Sequence, residues 1–199
     1  MSMDFEACLQ LLAQHRTDEV VVSSMTPNSY WPFLSKSDRD LHYTDPMGSV
    51  GAVSLGIALA RPDMRVWGFD GDGGHLMYLG SLVTIAEQAP ANLVHFIFDN
   101  EKYGLVGLPT PGVGKRDFCA IARGAGLRQV YRFDDLEELD GAMPQVKTAA
   151  GPVYVVLRVE GGHSSDAKGM ERSRARRNAP EVKQRYGRIG VRTLRRLLS

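Results

Sequence analysis

The stretch VWGFDGDGGHLMYLG, residues 66–80, decides the fold class of this chain. It starts as an apolar run typical of a buried strand and ends with the pattern of a helix. Glycines in the connecting turn let backbone N–H groups converge, and the start of a helix adds partial positive charge, so the turn suits a phosphate. A bare carboxylate at Asp72 would repel that phosphate. A bridging Mg²⁺ removes the conflict, because Mg²⁺ prefers oxygen ligands and is often completed by phosphate oxygens.

The rest of the chain alternates between strand and helix patterns. We expect loops over 24–33 and 100–116, a first helix capped by Asp4, and the following elements: strands 19–24, 41–44, 64–70, 92–99, 128–133 and 153–159, and helices 48–63, 74–88, 117–125 and 134–149, the last disturbed by Pro144. This alternation predicts a doubly wound α/β fold with a mostly parallel sheet and helices on both faces. The ligand should lie beyond the carboxyl ends of the strands.

A second metal ligand should come from a neighbouring strand end. Asp99 and Asn100 close the apolar run NLVHFIFD and place an amide oxygen there. One helix and one strand separate them from Asp72, which is the βαβ spacing that brings two parallel strand ends side by side. Alone, either motif is typical of an ordinary turn, but together they indicate a cation site.

The residues from Gly71 to Gly104 resemble the thiamine diphosphate motif, which opens with GDG and closes with an asparagine pair or its variant. The likeness is strongest to phosphonopyruvate and sulfopyruvate decarboxylases. It is carried by several segments that recur in order: MGSVGAVSLGIALARPD, LM-x-LGSL, AP-x-NLVHFIF, DN-x-x-YG and the PT of GLPTPG. It covers most of residues 20–160.

The resemblance implies thiamine diphosphate and Mg²⁺ as cofactors. It assigns the metal to the side chains of Asp72 and Asn100 and to the backbone carbonyl of Lys102. Gly73 and Gly74 would donate backbone N–H groups to the diphosphate. Three further residues are assigned to the rest of the cofactor: Met47 to its bent shape, the Asp45 carbonyl to its amino group, and Thr26, on the loop after the first strand, to its diphosphate.

The resemblance also implies that the active site is divided between two chains. In the family, a glutamate on a pyrimidine-binding domain activates the cofactor, and this sequence begins almost at the pyrophosphate-binding domain. We therefore expect that glutamate on a partner subunit, as in two-subunit sulfopyruvate decarboxylase, and assign no catalytic residue to this chain. The expected reaction is decarboxylation of a 2-oxo acid with an anionic 3-substituent, giving an aldehyde and CO₂. Carboligation, a 2-oxoacid oxidoreductase β subunit, and a non-catalytic binding or regulatory protein are the alternatives.

Five polar residues of the chain have alternative roles. Lys115 and Arg116 are candidates for binding the substrate's anionic group, but we expect solvent to surround each of them. His75, His95 and His42 could transfer protons, but for His75 and His95 we expect structural histidines whose hydrogen bonds are satisfied.

The amino-acid composition indicates the cellular compartment and the character of the C-terminal segment. Cys8 and Cys119 are the only cysteines of the 199 residues, so we expect no disulfide framework and a cytoplasmic protein. Residues 1–165 should form the cofactor domain, and residues 166–199 a basic, partly helical tail. From Lys168 onward there are eleven Lys or Arg and two Glu. Because no aromatic-rich nucleic-acid motif accompanies this charge, we expect a solvated or partner-docked tail rather than one that binds nucleic acid. We also expect no membrane partner.

Overall fold

The computed structural model describes residues 2–42, 47–104, 106–162 and 195–198. In these residues, strands and helices alternate along the chain, except for two successive helices between residues 72 and 88. Their bounds are β1 Met3–Asp4, α1 Phe5–His15, β2 Val20–Ser23, α2 Met25–Leu34, β3 Asp40–His42, α3 Val50–Ala60, β4 Val66–Gly71, α4 Asp72–Met77, α5 Ser81–Gln88, β5 Leu93–Asp99, α6 Phe118–Gly124, β6 Gln129–Phe133, α7 Leu136–Thr148 and β7 Val153–Glu160.

The strands form one sheet in the order β1-β7-β5-β4-β2-β3, with β6 also paired to β7. Every pairing between these named strands is parallel. β6 pairs with the first part of β7 and β1 with its end. The doubly wound α/β fold predicted from the sequence is therefore confirmed, and the carboxyl ends of β2, β4 and β5 meet at one edge of the sheet.

Two apolar clusters cover the two faces of the sheet. Helices α1, α2 and α7 pack on one face against the aromatic rings of Trp67, Phe69 and Phe96. Helices α3, α5 and α6 pack on the other face. Full burial of each large apolar side chain contributes about 1.5–3 kcal/mol, so these layers supply most of the force that holds the helices to the sheet.

Aspartates fix the starts of three helices. Asp4 accepts a hydrogen bond from the Ala7 N–H, as the sequence predicts. Asp117 and Asp135 do the same for α6 and α7. Each cap is worth about 1 kcal/mol because it satisfies N–H groups that a helix leaves free. The α7 helix continues through Pro144 to Thr148.

The predicted loop over 24–33 is wrong, since these residues lie mostly in α2. Pro27 falls in the first turn, where its missing N–H costs nothing. Trp31 is fully buried and meets the Phe69 ring edge-on at 4.9 Å. Packing of this tryptophan outweighs the low helix propensity of the segment.

The single helix predicted over 74–88 is also wrong. It is two helices, α4 and α5, separated by a turn at Tyr78–Gly80. Glycine at position 80 disfavours continuation of a helix. Gly73 and Gly74 therefore lie in the short α4. Residues 71–74 are called the glycine turn below.

Near the end of the chain, residues 195–198 are helical. Leu197 is 2% exposed and packs in the α3 face cluster, and its carbonyl accepts a hydrogen bond from Arg61. Arg196 pairs with Asp38. The boundary predicted between a domain at 1–165 and a tail at 166–199 lies outside the described residues and stays a prediction.

Candidate functional site

Two carboxylates meet at the carboxyl edge of the sheet. Gly71 of β4 lies beside Phe98 of β5, so Asp72 and Asp99 follow at adjacent strand ends. The Asp72 side chain is only 2% exposed, and that of Asp99 is 13% exposed. The βαβ spacing in the sequence therefore placed these strand ends correctly.

Arg116 joins the two carboxylates. Its Nη2 donates to Asp72 Oδ2 at 2.6 Å and to Asp99 Oδ1 at 2.5 Å. Its Nη1 donates to Thr110 Oγ1, whose hydroxyl in turn donates to Asp72 Oδ2 at 2.7 Å. The Arg116 side chain is 6% exposed and its guanidinium lies over the Phe118 ring. The expectation that Arg116 is solvated is wrong, because two carboxylates and a ring enclose it, whereas Lys115 is exposed as expected.

The electrostatics of Asp72 favour a cation. Burial raises the pKa of Asp72 to about 6, and the negative charge of Asp99 adds to this effect. The hydrogen bond from Thr110 and the charge of Arg116 act in the opposite direction. At neutral pH this buried group is thus mostly ionised, next to a second carboxylate. Two adjacent carboxylates suit a hard dication such as Mg²⁺, which would take the role that the guanidinium has here.

The loop after β5 folds back over the glycine turn. An antiparallel bridge joins Lys102 to Pro109, and the Tyr103 N–H donates to the Leu108 carbonyl. This return brings Thr110 to Asp72 and lays Tyr103 over the turn. A Cβ added at Gly73 would lie 2.6 Å from the Tyr103 ring, so only glycine fits at this position.

Asn100 and Lys102 occupy a tight turn beside Asp99. Asn100 Oδ1 accepts a hydrogen bond from the Lys102 N–H at 3.1 Å, and Nδ2 donates to the Gly161 carbonyl. The Asn100 amide oxygen therefore lies one residue beyond Asp99, at the strand end where the sequence places it. Its role as a metal ligand, and that of the Lys102 carbonyl, stay predictions.

The remaining predicted cofactor residues lie around the same edge. A Cβ at Gly48 would meet the Gly74 carbonyl at 2.6 Å, which places the Met47–Gly48 turn directly against α4. Met47 is partly buried. Thr26 is in the first turn of α2, not on a loop, and its methyl group lies near Gly162. Asp45 lies outside the described residues.

A buried polar cluster lies beneath the turn, on the sheet face covered by α3. It contains Asp70, His75 and His95, whose donor atoms all lie within 4.8 Å of one another. Burial lowers the pKa of His95 to about 4 and that of His75 well below its ordinary value, so both rings are neutral at pH 7. His75 Nε2 is 2.8 Å from the Tyr154 hydroxyl, as expected of a satisfied structural histidine. The same expectation is wrong for His95, because neither of its ring nitrogens has a partner within the described ranges.

A family model matches residues 22–157 of this chain, and its description is thiamine pyrophosphate enzyme, C-terminal TPP binding domain. The chain belongs to this family. The match spans β2 to β7 and includes the glycine turn, the strand end at Asp99 and the loop that carries Arg116. The resemblance inferred from the motifs is therefore confirmed at the level of the family.

Relatives show how much of a protein this chain corresponds to. Phosphonopyruvate decarboxylase of Streptomyces viridochromogenes is 37% identical over 155 residues, covering 77% of this chain and 38% of that protein. Sulfopyruvate decarboxylase subunit beta of Methanothermobacter thermautotrophicus is 32% identical, covering 74% of this chain and 77% of that subunit. The chain thus spans about two fifths of the phosphonopyruvate decarboxylases that it matches, but most of the sulfopyruvate decarboxylase subunit.

The fold is also shared with solved structures. The crystal structure of benzoylformate decarboxylase from Polynucleobacter necessarius superposes with a TM-score of 0.64 at 21% identity. The superposition covers 80% of this chain and 34% of that one. Among the helices that the structure describes here, none is long and apolar enough to cross a membrane.

Proposed function

We propose that this chain is the pyrophosphate-binding subunit of a two-subunit thiamine diphosphate-dependent 2-oxo acid decarboxylase. One observation carries the proposal. In a chain of this family, the strand ends at Asp72 and Asp99 are paired, with the buried guanidinium of Arg116 between their carboxylates. The match to a separately encoded decarboxylase β subunit over three quarters of both chains supports the division into two subunits. The substrate is a 2-oxo acid similar to phosphonopyruvate or sulfopyruvate.

The residues at this edge fit Mg²⁺ and a diphosphate. Asp72, with Asn100 and the Lys102 carbonyl, would hold the metal, since these are the hard oxygen donors that Mg²⁺ prefers. The N–H groups of Gly73 and Gly74 would hold the diphosphate. Bound thiamine diphosphate would supply the electron sink for loss of CO₂ from the 2-oxo acid.

The other side chains would orient the cofactor and enclose it. Met47, on the turn packed against α4, would support the bent shape of the cofactor, and the Asp45 carbonyl would bind its amino group. Thr26 would contact the diphosphate. Tyr103 and Thr110 cover the glycine turn from the loop side and would keep water away from Asp72. Lys115 and Arg116 are the candidates for the anionic substituent of the substrate.

The activating glutamate would come from a pyrimidine-binding subunit. We therefore expect the purified chain to decarboxylate sulfopyruvate or phosphonopyruvate at least about 100-fold more slowly than its mixture with that subunit from the source organism, since acid–base catalysis contributes this much or more. The rate would be measured by coupling the aldehyde product to NADH oxidation. Rapid decarboxylation by the chain alone would contradict the divided site.

A matched control separates catalysis from assembly. The partner subunit with its activating glutamate changed to glutamine should form the same complex by size-exclusion chromatography and yet leave the rate low. If the complex forms but turns over neither substrate in the presence of both cofactors, the proposed substrate class is wrong. The proposed two-subunit assembly would still hold.

Arg116 should compete with the metal. Because its guanidinium pairs with Asp72, Arg116→Met removes a positive charge that a dication must displace or tolerate. We expect the Mg²⁺ concentration for half-maximal thiamine diphosphate binding to fall about tenfold, equivalent to about 1.4 kcal/mol. Binding would be followed by quenching of tryptophan fluorescence.

Arg158 provides the control for this measurement. It pairs with Asp99 and Glu101 and its side chain is 24% exposed. Arg158→Met removes a nearby positive charge that makes no contact with Asp72, so its effect on the Mg²⁺ requirement should be smaller. A higher Mg²⁺ requirement in Arg116→Met would instead make Arg116 a cofactor-binding residue.

A further inference from the structure

Three donor side chains converge under the glycine turn without an assigned role. Asp70 is the last but one residue of β4, His75 lies in α4 and His95 lies in β5, and each is at most 2% exposed. The strand residues point to the same sheet face, since Gly68 is the register partner of His95 and Asp70 follows Gly68 by two. Their donor atoms lie within 4.8 Å of one another.

Most of these donor atoms have no partner. Both carboxylate oxygens of Asp70 and both ring nitrogens of His95 lack a hydrogen-bond partner in the part of the chain that the structure describes. The Ser54 hydroxyl, which like the His95 ring lies against Gly68, is likewise unpartnered there. Buried polar atoms are nearly always paired, and each unpaired one costs about 1–3 kcal/mol. Several such atoms gathered in one buried cluster indicate that a ligand belongs between them.

The donor set selects the kind of ligand. One carboxylate oxygen and two neutral imidazole nitrogens are the donors of a zinc site with three protein ligands, with bonds of about 2.0–2.2 Å. Magnesium prefers oxygen donors alone and keeps several waters, so it suits Asp72 and not this cluster. The carboxylate charge also offsets part of the charge of a dication in a place shielded from bulk solvent, where one bound water would complete the four ligands.

The residues around the cluster are those expected next to metal ligands. The Tyr154 hydroxyl is hydrogen-bonded to His75 Nε2, and a ligating histidine usually engages its other nitrogen with such a partner. His75 would therefore bind the metal through Nδ1. Two glycines lie against the cluster. A Cβ at Gly74 would lie 2.7 Å from Asp70 Oδ1, and one at Gly51 would lie 3.1 Å from His95 Cε1.

We propose that Asp70, His75 and His95 bind a transition-metal dication of the zinc class, at a site separate from the one at Asp72. The bound ion ties α4 to β4 and β5. It thereby fixes the turn that carries Asp72, Gly73 and Gly74 from the core side. This proposal does not depend on the proposed function, since it concerns only the buried donors.

The test measures metal bound to the full chain. The purified protein is stripped with a chelator, and Zn²⁺ or Co²⁺ is added back in the presence of excess Mg²⁺. We expect one equivalent of Zn²⁺ by elemental analysis, and an intense visible Co²⁺ absorption typical of a four-coordinate site with nitrogen ligands. Failure to retain either ion would overturn the proposal and leave a buried water as the ligand.

Variants locate the ion. His75→Gln and His95→Gln should each weaken Zn²⁺ binding at least about 100-fold, since even partners of the ligands commonly account for 10–100-fold. His42→Gln, which changes an equally buried histidine on β3, and Asp72→Asn should both keep the Co²⁺ spectrum. Circular dichroism confirms that each variant is folded, and Asp70→Asn provides a third ligand change if one histidine variant is not. Loss of the ion in Asp72→Asn alone would place it at the cofactor edge and overturn the proposal.

Discussion

Asp72→Asn should reduce Mg²⁺-dependent binding of thiamine diphosphate by at least about 100-fold, since removal of a direct ligand should exceed the 10–100-fold effect of losing a ligand's partner. The asparagine keeps the shape of the side chain and can still accept hydrogen bonds from Thr110 and Arg116. It removes the buried negative charge that a dication needs. Calorimetric titration of the cofactor at fixed Mg²⁺ measures the effect.

Two variants of the same type make this result specific. Asp63 is 61% exposed and pairs with Arg61, so Asp63→Asn should bind the cofactor like the unaltered chain. Asp99 shares Arg116 with Asp72 but is not among the assigned ligands, so Asp99→Asn should have a much smaller effect. Lost affinity in Asp99→Asn with full affinity in Asp72→Asn would move the metal to Asp99.

The sequence identified the edge of the sheet that matters because the relevant pattern is local. Apolar runs mark β4 and β5, and parallel strands joined by one helix lie next to each other with their ends aligned. This pattern alone is enough to bring Asp72 and Asp99 together. Family motifs then add Asn100, Lys102 and the glycines, whose contacts with the cofactor stay predictions.

Arg116 could not be placed by the same reasoning. It is seventeen residues beyond Asp99, after a loop whose path depends on the bridge between Lys102 and Pro109. A basic residue in a glycine-rich loop is usually solvated, and local sequence does not show that the loop folds back on the sheet. The signal available in the sequence was an excess of carboxylates at the predicted cation site.

The helix α2 and the cluster at His95 were missed for a related reason. Trp31 makes α2 helical by packing against Phe69, which is 38 positions away in the sequence. His95 alternates with apolar residues in β5, as a satisfied core histidine would. Only the register of β4 and β5 shows that Asp70 shares its face, so a polar cluster made by three elements is not visible in any one of them.

The stability of the metal-free chain should depend on pH through Asp70. Burial raises the pKa of Asp70 from its ordinary value of 3.8 to about 7, and the Asp72 charge adds to this effect. The Gly71 N–H lowers the pKa through a contact that does not meet hydrogen-bond geometry. A raised pKa in the folded state gives stability that is full below 3.8 and is lost as pH rises through 7. Asp70→Asn cannot ionise, so it avoids this loss.

We therefore expect the free energy of unfolding of Asp70→Asn, relative to the unaltered chain, to increase by roughly 2–3 kcal/mol between pH 5 and pH 8. Urea unfolding with a chelator present measures it at both pH values. The comparison with the unaltered chain is needed because His95, whose pKa is lowered to about 4, gains stability over part of the same range.

Ser54→Ala is the matched control, because it removes an unpartnered buried hydroxyl of the same cluster that does not titrate. Its effect on the free energy of unfolding should be the same at pH 5 and pH 8. A difference between Asp70→Asn and the unaltered chain that is also constant with pH would mean that the Asp70 carboxylate has a compensating partner. In that case, added Zn²⁺ should fail to stabilise the unaltered chain at pH 8. If the Asp70 carboxylate has no compensating partner, Zn²⁺ should instead stabilise the unaltered chain strongly, and Asp70→Asn should lack this stabilisation.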